Sequence, residues 1–538
     1  MGGATPHTPL FKQLFSYSSE GNPLNATTST VMSFTHDPAV LSAIGARCAR
    51  EGVAAWLVGG AARSLVARRM GLAHPFTDPP DDLDITVAGD GLALARMLAD
   101  QLGGSFVTLD SERNTGRVVL DPHGPARLVV DLVQLRAATM TDDLRLRDFT
   151  LNALAIPLDQ VYRAAPMILD PCGGQGDMAA RCLQICAPQS LADDPVRLVR
   201  GVRLATALGL TYSHATWAAM QQVGPNLGSC AAERVRDELL RLLDTLGGAA
   251  ALQTLDEVGA LTSLFPELEA ARNCTQPHVH FLPVLAHALE TVVVIEWLLA
   301  LLAGKEPRTL PVAVQHHPDL ARTLPYAERL HPHFAGQING HSRGALLKLA
   351  TLLHDNAKPQ TKQIAPTGKV TFYGHQELGA AVALTIAQRL RLSRQAAGYV
   401  ATIVKQHMRP GQLRAAEELT VRAVVRFFRD IGDAGPDVLL HSMADHLASS
   451  GPRTDEMDWR AHLRWVEVML AGYWGRTDEQ TKPFINGNDL IQELHLEQGP
   501  LIGRILRELH EAQASGEIGA RAEAIALAQR LQTEWQNE

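Results

Sequence analysis

Two aspartates in a short predicted strand have the spacing that most directly suggests chemistry. Asp82 and Asp84 alternate with apolar residues in the run DLDITV, so strand periodicity places both carboxylates on one face. Neighbouring carboxylates repel each other unless a cation lies between them, and Mg²⁺ that bridges substrate phosphates is the usual occupant. The pair predicts a magnesium site, with a solvated acidic strand end as the alternative for an isolated Asp-x-Asp.

A glycine pair upstream of this strand could bind a phosphate group. Residues 54–58 have the pattern of a buried strand, Gly59-Gly60 that of a tight turn, and 62–70 that of a helix. Backbone N–H groups at a helix start bind anions, and Arg63 adds positive charge in the first turn. In-line nucleotidyl transfer requires such a phosphate cradle together with a carboxylate clamp for two metal ions.

A third carboxylate could join the pair. Asp131 lies in a predicted strand over 127–133, on the same face as Val129 and Val133. It could lie beside Asp82 and Asp84, or it could pair with Arg136 at the end of its strand. The sequence favours neither arrangement.

The stretch 143–155 carries groups that suit a nucleotide. Arg147 can bind phosphate, and Asp148 and Asn152 can hydrogen-bond a ribose hydroxyl, next to an apolar run that predicts a helix. Taken alone, the stretch would be a solvated helix start with Asp148 as its N-cap.

A second polar pair lies in the run DDPVRLVRGVR. Asp194 and Arg197 are three residues apart and share one face of a predicted helix. A carboxylate that accepts from an exocyclic amine, beside a guanidinium that donates to ring acceptors, resembles a Watson–Crick edge. The alternative is an ordinary helix ion pair.

The composition limits the class of protein. The chain has 538 residues, 46% hydrophobic and 20% charged, which predicts a soluble globular protein of three or four domains. A formal net charge of -8 excludes a general basic coat, so any RNA site must be a local patch. The six cysteines include no C-x-x-C pair, which argues against a zinc ribbon or a disulfide framework and favours a reducing cytoplasm.

Two further segments bear on location. The apolar run 281–302 is long enough to span a membrane, but His287, Glu290 and Glu296 interrupt it, so we predict a buried helix and no membrane association. The first thirty-odd residues are rich in Ser, Thr, Gly and Asn and lack a signal-peptide pattern. They predict a disordered leader or a true start at Met32.

The motifs together resemble a known family. The runs GGAARSL, DLDI, RDFTLNALA, DPCGGQGD, DDPVRLVRGVR and AAERVRDEL follow the order and approximate spacing of the class II tRNA nucleotidyltransferase and bacterial poly(A) polymerase family. The resemblance covers about residues 40–270. It implies an α+β fold, with a polymerase-β-like nucleotidyltransferase head that contains a mixed sheet, followed by all-helical RNA-binding and HD domains.

The resemblance also implies roles for individual residues. Asp82 and Asp84 would hold Mg²⁺, with Asp131 as a further catalytic carboxylate. Arg147, Asp148 and Asn152 would lie near the ribose, and Glu233 and Arg234 on the helix that supports nucleotide selection. The remaining predicted nucleotide-binding residues are Gly59, Gly60, Arg63 and Ser64 at the triphosphate, and Asp193, Asp194, Arg197, Arg200 and Arg203 in the motif that selects CTP or ATP.

Three positions depart from the family pattern. Ser64 stands where Asp is usual, so it can donate to phosphate but carries no charge. Leu146 replaces a usual arginine, for which Arg145 could partly substitute, and Asp193 replaces Glu. Because the metal pair is retained, we expect activity with altered nucleotide handling.

The second half predicts helices in which His and Asp recur. The runs LLHDNAKP and GHQELGA resemble an HD-type phosphohydrolase domain, in which imidazole and carboxylate hold one or two divalent metals. Asn356-Ala357 stand where Ile-Gly is usual. The alternative is helix histidines without a metal. The candidate ligands, for Ni, Mn or Zn, are His287, His354, Asp355, His375, His407 and Asp445.

We predict five segments along the chain: a leader over 1–35, the head over 36–160, a helical nucleotide-selecting neck over 161–270, an HD-type domain over 271–450 with an insertion or exposed loop near 303–340, and a helical tail over 451–538. The arginines between 391 and 429 are the best local candidate for contacts to a tRNA backbone, with solvated helix faces as the favoured alternative.

The sequence as a whole predicts a cytoplasmic, template-independent enzyme that adds CMP and AMP from CTP and ATP to the 3′ end of tRNA. A poly(A) polymerase or a partial CC- or A-adding enzyme would share every head motif. An HD phosphodiesterase with a degenerate RNA-binding head is the alternative of another class. A non-catalytic RNA-binding protein is disfavoured because Asp82, Asp84, His354 and Asp355 are all present. The oligomeric state stays open.

Overall fold

The computed structural model describes residues 38–78, 82–121, 127–475 and 483–535. These residues divide into two compact units. One unit comprises residues up to 61, 79–135 and 156–169, and the other comprises 62–78, 136–155 and 170 onward. The leader predicted over residues 1–35 lies outside the described residues.

The head sequence forms a sheet with helices. Its elements are α1 (Pro38–Arg50), β1 (Ala55–Val58), α2 (Gly59–Arg69), β2 (Asp82–Val87), α3 (Gly91–Leu102), β3 (Ser105–Asp110), β4 (Thr115–Leu120), β5 (Leu128–Gln134), α4 (Met140–Arg145) and β6 (Ala155–Pro157). Six strands form one sheet in the order β3-β4-β5-β2-β1-β6. β2 pairs parallel with β5, whereas β1–β2, β3–β4 and β4–β5 pair antiparallel. This mixed sheet confirms the predicted α+β fold class.

The alternation predicted for β2 is present in the structure. Leu83 and Ile85 are fully buried, while Asp82 and Asp84 are half-buried on the other face. Helix α3 packs on β4 and β5 through its apolar side, and Asp90 caps it by accepting from the backbone N–H of Ala93 at 2.9 Å. The sheet thus holds the carboxylate face in place through an apolar core on the opposite face.

The rest of the chain is almost entirely helical. It consists of α5 (Gly174–Ala179), β7 (Cys182–Leu183), α6 (Ser190–Asp193), α7 (Val196–Leu208), β8 (Thr211–Tyr212), α8 (His214–Val223), α9 (Ala232–Asp244), α10 (Gly248–Glu257), α11 (Ala260–Leu264), α12 (Val284–Leu302), α13 (Val312–His316), α14 (Ala327–Phe334), β9 (Gln337–Ile338), β10 (His341–Ser342), α15 (Arg343–Leu353), α16 (Lys358–Thr361), β11 (Gln363–Ile364), β12 (Val370–Thr371), α17 (His375–Arg389), α18 (Arg394–Gln406), α19 (Arg409–Arg414), α20 (Val421–Ile431), α21 (Gly435–Ser450), α22 (Glu456–Trp474), α23 (Gly487–Leu494), α24 (Pro500–Ala514) and α25 (Arg521–Trp535).

Helix α12 is the apolar run predicted as a buried helix. It is the one described helix that is long and apolar enough to cross a membrane by length and composition, and 67% of that window is buried inside the protein. Val292, Ile295 and Trp297 are buried, and α12 packs against α15 and α21. We therefore assign α12 to the core of the unit formed by residues 62–78, 136–155 and 170 onward, which we name the helical unit.

Two local predictions differ from the structure. The apolar helix predicted within 143–155 is wrong beyond Arg145, because Phe149 forms a β-bridge with Ile185 and only a 3-10 turn, Thr150–Asn152, follows. The stretch near 303–340 contains α13 and α14 with buried Leu330, so the prediction of an exposed loop is wrong there, whereas the alternative of an insertion stays a prediction. Apolar contacts to the core order both regions.

Candidate functional site

The three candidate carboxylates come together at β2 and β5. The parallel register places Asp84 directly opposite Asp131, and Asp82 precedes Asp84 by two residues on the same face. One carboxylate oxygen from each of Asp82, Asp84 and Asp131 lies within 4.8 Å of the others. An all-oxygen set of this kind suits Mg²⁺, so the residues present fit the predicted metal.

Gly59 lies against this carboxylate face, and no other residue type would fit at its position. Its φ of +64° is left-handed, and a Cβ at this position would lie 2.4 Å from Oδ2 of Asp84. The glycine at the start of α2 therefore gives the Asp84 carboxylate the space that it occupies. Gly60 is the second residue of the same helix.

Arg117 on β4 is a member of this group that the sequence did not identify. It lies opposite Asp131 in the antiparallel register, and its Nε and Nη2 donate to Oδ1 and Oδ2 of Asp131, each at 2.8 Å. This hydrogen bond, opposed by burial, raises the pKa of Arg117, and the charges of Asp82 and Asp84 add to the effect. The alternative pairing of Asp131 with Arg136 is absent, since Arg136 pairs with Asp143 at 3.0 Å.

The helical unit contains the side chains predicted to bind phosphate and ribose, whereas Gly59 and Gly60 belong to the other unit. Nη1 of Arg63 on α2 donates to Oδ1 of Asn152 at 2.6 Å, and Arg147 lies 3.5 Å from Asp143. Ser64 is buried, and its hydroxyl donates to the backbone carbonyl of Asp78 at 2.8 Å. In this structure Ser64 is not placed to donate a hydrogen bond to a phosphate, because its buried hydroxyl already donates to a backbone carbonyl.

The predicted nucleotide-selecting pair is held from several sides. Arg197 lies 3.6 Å from Asp194, and its Nη1 also donates to the carbonyl and hydroxyl of Ser190, each at 3.1 Å. Arg234 on α9 donates to Asp194 at 2.6 Å, as expected for a helix that supports this pair. Asp193 ends α6 and is exposed. The pair is preorganised by these contacts rather than by its own ion pair alone.

Arg200 and Arg203 take part in an internal ion-pair network. Glu238 on α9 accepts from Arg200 at 2.9 Å and from Arg203 at 2.8 Å, and Arg200 also lies 3.2 Å from Asp148. Burial raises the pKa of Glu238 and of Asp148, but the arginine charges outweigh burial and lower both. Both arginines therefore connect α7 to α9, and Arg200 also holds Asp148, while their predicted contact with nucleotide stays a prediction.

All six residues predicted as HD ligands come together in one cluster, in which all but Asp445 are buried. They come from five elements or their ends, namely α12, the turn after α15, the start of α17, the end of α18, and α21: His287, His354, Asp355, His375, His407 and Asp445. Of these six residues, only His354 and Asp355 are adjacent in the sequence. The other four reach the cluster through the packing of the helices.

Asp355 lies between two groups of imidazoles. Its Oδ1 is 3.4 Å from Nε2 of His375 and 3.6 Å from Nε2 of His407. Its Oδ2 is 3.1 Å from Nε2 of His354 and 2.6 Å from Nζ of Lys358. Burial alone would raise the pKa of Asp355, but the charges of His354 and Lys358 hold it well below its usual value. A carboxylate so placed can bridge two cations.

Three imidazoles are oriented with a nitrogen facing the cluster. Nδ1 of His354, His375 and His407 each lies 2.7 Å from a backbone carbonyl three residues earlier in the chain, and a carbonyl can only accept. The hydrogen of each ring therefore lies on Nδ1, and Nε2 presents a lone pair to the cluster once it carries no proton, as metal ligands do. Burial lowers the pKa of His407 to about 3, which keeps this ring neutral.

In the cluster, lone pairs also face one another, and they repel unless a cation or a proton lies between them. Nε2 of His375 and Nε2 of His407 are 3.2 Å apart. Oδ1 of Asp355 is buried without a hydrogen bond among the described residues, and its neighbours at 3.4 and 3.6 Å are these same two imidazole nitrogens. These atoms and the mixed N/O donor set fit divalent transition metals.

The cluster contains two further histidines that were not predicted from the sequence as ligands. His280, in the segment before α12, lies edge-on to His287, with ring centroids 5.0 Å apart, and burial lowers its pKa to about 4. His441 on α21 is fully buried, 4.9 Å from His354 between ring centroids. The runs PHVH and HSMADH contain these two histidines, but neither run indicates that they contact His287 or His354.

A cleft of about 930 Å³ opens onto the cluster within the helical unit. Asp355, His375, His407 and Asp445 line its floor. Tyr373 stands at the cleft and is 77% exposed. A small phosphoester can therefore reach the candidate ligands.

Comparisons with known proteins agree with this arrangement. Family models match along most of the chain: a poly A polymerase head domain over 55–184, a probable RNA- and SrmB-binding site of polymerase A over 209–272, an HD domain over 320–434, and a putative tRNA nucleotidyltransferase domain 2 over 479–528. The A-adding tRNA nucleotidyltransferase of Deinococcus radiodurans is 33% identical over 483 residues, which cover 88% of this chain and 94% of that protein. The chain belongs to the tRNA nucleotidyltransferase family.

Other relatives of this tRNA nucleotidyltransferase differ in what their names say they add. The CC-adding tRNA nucleotidyltransferase of Thermus thermophilus is 30% identical over 479 residues, covering 88% of this chain and 92% of that protein. Among solved structures, the CCA-adding enzyme of Thermotoga maritima in complex with tRNA has a TM-score of 0.55 at 17% identity, covering 93% of this chain and 96% of that one. At that identity the structure supports the fold alone.

Proposed function

We propose that this tRNA nucleotidyltransferase transfers CMP and AMP from CTP and ATP to the 3′ end of tRNA and releases pyrophosphate, in the cytoplasm. The single observation that carries the proposal is the convergence of Asp82, Asp84 and Asp131 on one oxygen-lined point next to Gly59. The relatives named for CC and A addition, and the family models, supply the substrate class.

Nucleotidyltransferases of this family use a divalent metal ion. Mg²⁺ held by Asp82 and Asp84 would supply Lewis-acid activation of the RNA 3′-hydroxyl and orient the triphosphate. Arg117 fixes Asp131 and adds positive charge next to the same carboxylates. The Arg197 guanidinium and the Asp194 carboxylate would present donors and an acceptor to the base, which is how a protein without a template strand can select a nucleotide.

Single-nucleotide incorporation tests this proposal. Purified enzyme and Mg²⁺ are incubated with tRNA ending before the first C, after C, or after CC, with CTP, ATP, UTP or GTP supplied singly. A full CCA-adding enzyme uses CTP on the first two substrates and one ATP on the third. A CC-adding enzyme never uses ATP, an A-adding enzyme never uses CTP, and a poly(A) polymerase adds many A residues. No incorporation on any substrate would contradict nucleotidyl transfer.

The HD cluster favours a second candidate function, metal-dependent hydrolysis of a phosphoester. The supporting observation is Asp355, whose two oxygens each face imidazole Nε2 atoms. Ni²⁺, Mn²⁺ or Zn²⁺ held there would supply Lewis-acid activation of water. Lys358, at 2.6 Å from Asp355 and on the lining of the cleft, places a positive charge where a phosphate would enter. Hydrolysis of a 2′,3′-cyclic nucleotide with each metal, and its absence with EDTA, is the test.

A further inference from the structure

Two groups of possible metal ligands share Asp355: one adds His287 and His354, and the other adds His375 and His407. A third group lies beside them. His280, His287 and Asp445 each offer one atom, and these atoms lie within 4.8 Å of one another. Nε2 of His287 is 3.0 Å from Oδ1 of Asp445. Two ligands at about 2.1 Å from one tetrahedral ion lie roughly 3.4 Å apart. The group therefore has dimensions that fit around a single cation.

The segment that carries His280 is held on both sides. The backbone N–H of Val284 donates to the carbonyl of Cys274 at 3.0 Å, which closes the segment at the start of α12. The N–H of Phe281 donates to the carbonyl of Ser449 on α21, the helix that carries Asp445. His280 is thereby fixed over His287 by contacts of its backbone neighbours.

Two nitrogens in this group have no hydrogen bond among the described residues, Nδ1 of His280 and Nδ1 of His287, and both are buried. Nε2 of His287 has the Asp445 carboxylate beside it. A buried polar atom left unsatisfied destabilises the fold, and an apolar ring would fill the same space without that cost. A cation that accepts these lone pairs removes the cost, so the chemistry of the donors favours a ligand role over packing.

We infer that His280, with His287 and Asp445, ligates the outer of two transition-metal ions in the HD cluster. The inference rests on the metal centre proposed above. His280 and Asp445 both line the cleft, as His375 and His407 of the neighbouring group do, so this ion is also within reach of a substrate; it is the outer ion in that His280 lies in the segment before α12 and not on a core helix. Two imidazoles and one carboxylate leave a coordination position for a phosphate oxygen.

Metal counting on the full chain tests this inference without measuring hydrolysis. The protein is titrated with Mn²⁺ or Co²⁺, and bound ions per chain are measured by equilibrium dialysis with elemental analysis. With excess Mg²⁺ present to occupy the all-oxygen site of Asp82, Asp84 and Asp131, the wild type should bind two transition-metal ions. His280→Ala should keep one and bind the other at least about tenfold more weakly, because a ligand is lost. The visible absorption of bound Co²⁺ should change as well.

Two control variants separate the outcomes. His278→Ala alters an exposed histidine of the same segment outside the cluster and should bind two ions like the wild type. His280→Gln keeps a polar side chain and guards against a folding defect of the alanine variant. If both His280 variants fold and bind two ions with unchanged affinity, His280 is not a ligand, although the proposed centre stands. If the wild type binds no transition metal, the centre itself is wrong.

Discussion

Replacing Gly59 by alanine should damage nucleotide addition far more than it damages folding. The added Cβ would lie 2.4 Å from Oδ2 of Asp84, and ordinary contact begins at 3.4 Å, so the carboxylate must retreat by about 1 Å. A displacement of about 1 Å in a reacting group costs on the order of 100-fold in rate, or about 2.7 kcal/mol of transition-state stabilisation.

Gly71→Ala is the matched control for this change. Gly71 also has a left-handed φ, +71°, but no atom lies within 4 Å of the Cβ that alanine would add. Both variants should lose about 1 kcal/mol of stability from the left-handed conformation, measured by denaturant unfolding. Only Gly59→Ala should lose about 100-fold in the rate of CMP or AMP incorporation into tRNA, measured in single turnover. Wild-type rates in a folded Gly59→Ala enzyme would refute the placement of Asp84 in the active site.

Three further predictions concern the helical unit. Arg197→Ala should reduce discrimination among the four nucleoside triphosphates more than it weakens tRNA binding, and an unchanged preference would show that Arg197 is structural. Glu238→Gln should destabilise the protein by about 2 kcal/mol, below the roughly 3–5 kcal/mol of a fully buried pair because its arginine partners are partly exposed. The folded pKa of Glu238 is lowered, so its contribution is present above the unfolded pKa of about 4.3 and is lost as pH falls through the folded pKa. Unfolding as a function of pH should therefore show a smaller acid loss of stability in Glu238→Gln than in the wild type. His354→Ala with Asp355→Ala should abolish metal-dependent phosphoester hydrolysis and retain nucleotide addition; loss of addition by the folded double variant would contradict two separate centres.

Local periodicity was sufficient to place the carboxylate pair but not its neighbours. Strand alternation puts Asp82 and Asp84 on one face whatever the sheet order is. The position of Arg117 depends on the register between β4 and β5, which is a non-local property that a single sequence does not encode in any short pattern. The contact between Gly59 and Asp84 depends in the same way on how β1 and β2 pair.

In the helical half, residue types were predictable and partners were not. His354 and Asp355 are adjacent in the chain, so their pairing in a metal motif could be recognised. His280 reaches the cluster only because its segment is attached to α21, about 170 residues later in the chain. The ion pair of Arg200 could not be predicted either, because its partner Glu238 lies on another helix.

The most direct test of the account is incorporation of labelled CMP or AMP into tRNA lacking its 3′ end by Asp82→Ala, compared with Asp100→Ala. Asp100 is an exposed aspartate of α3 in the same unit, so its variant controls for the loss of one negative charge. The account predicts that Asp82→Ala retains the fold, by circular dichroism, but incorporates less than about 1% of the wild-type amount, because a metal ligand of the transfer reaction is gone. Asp100→Ala should retain wild-type incorporation. Substantial incorporation by Asp82→Ala would show that the carboxylates on β2 are not the centre of nucleotidyl transfer.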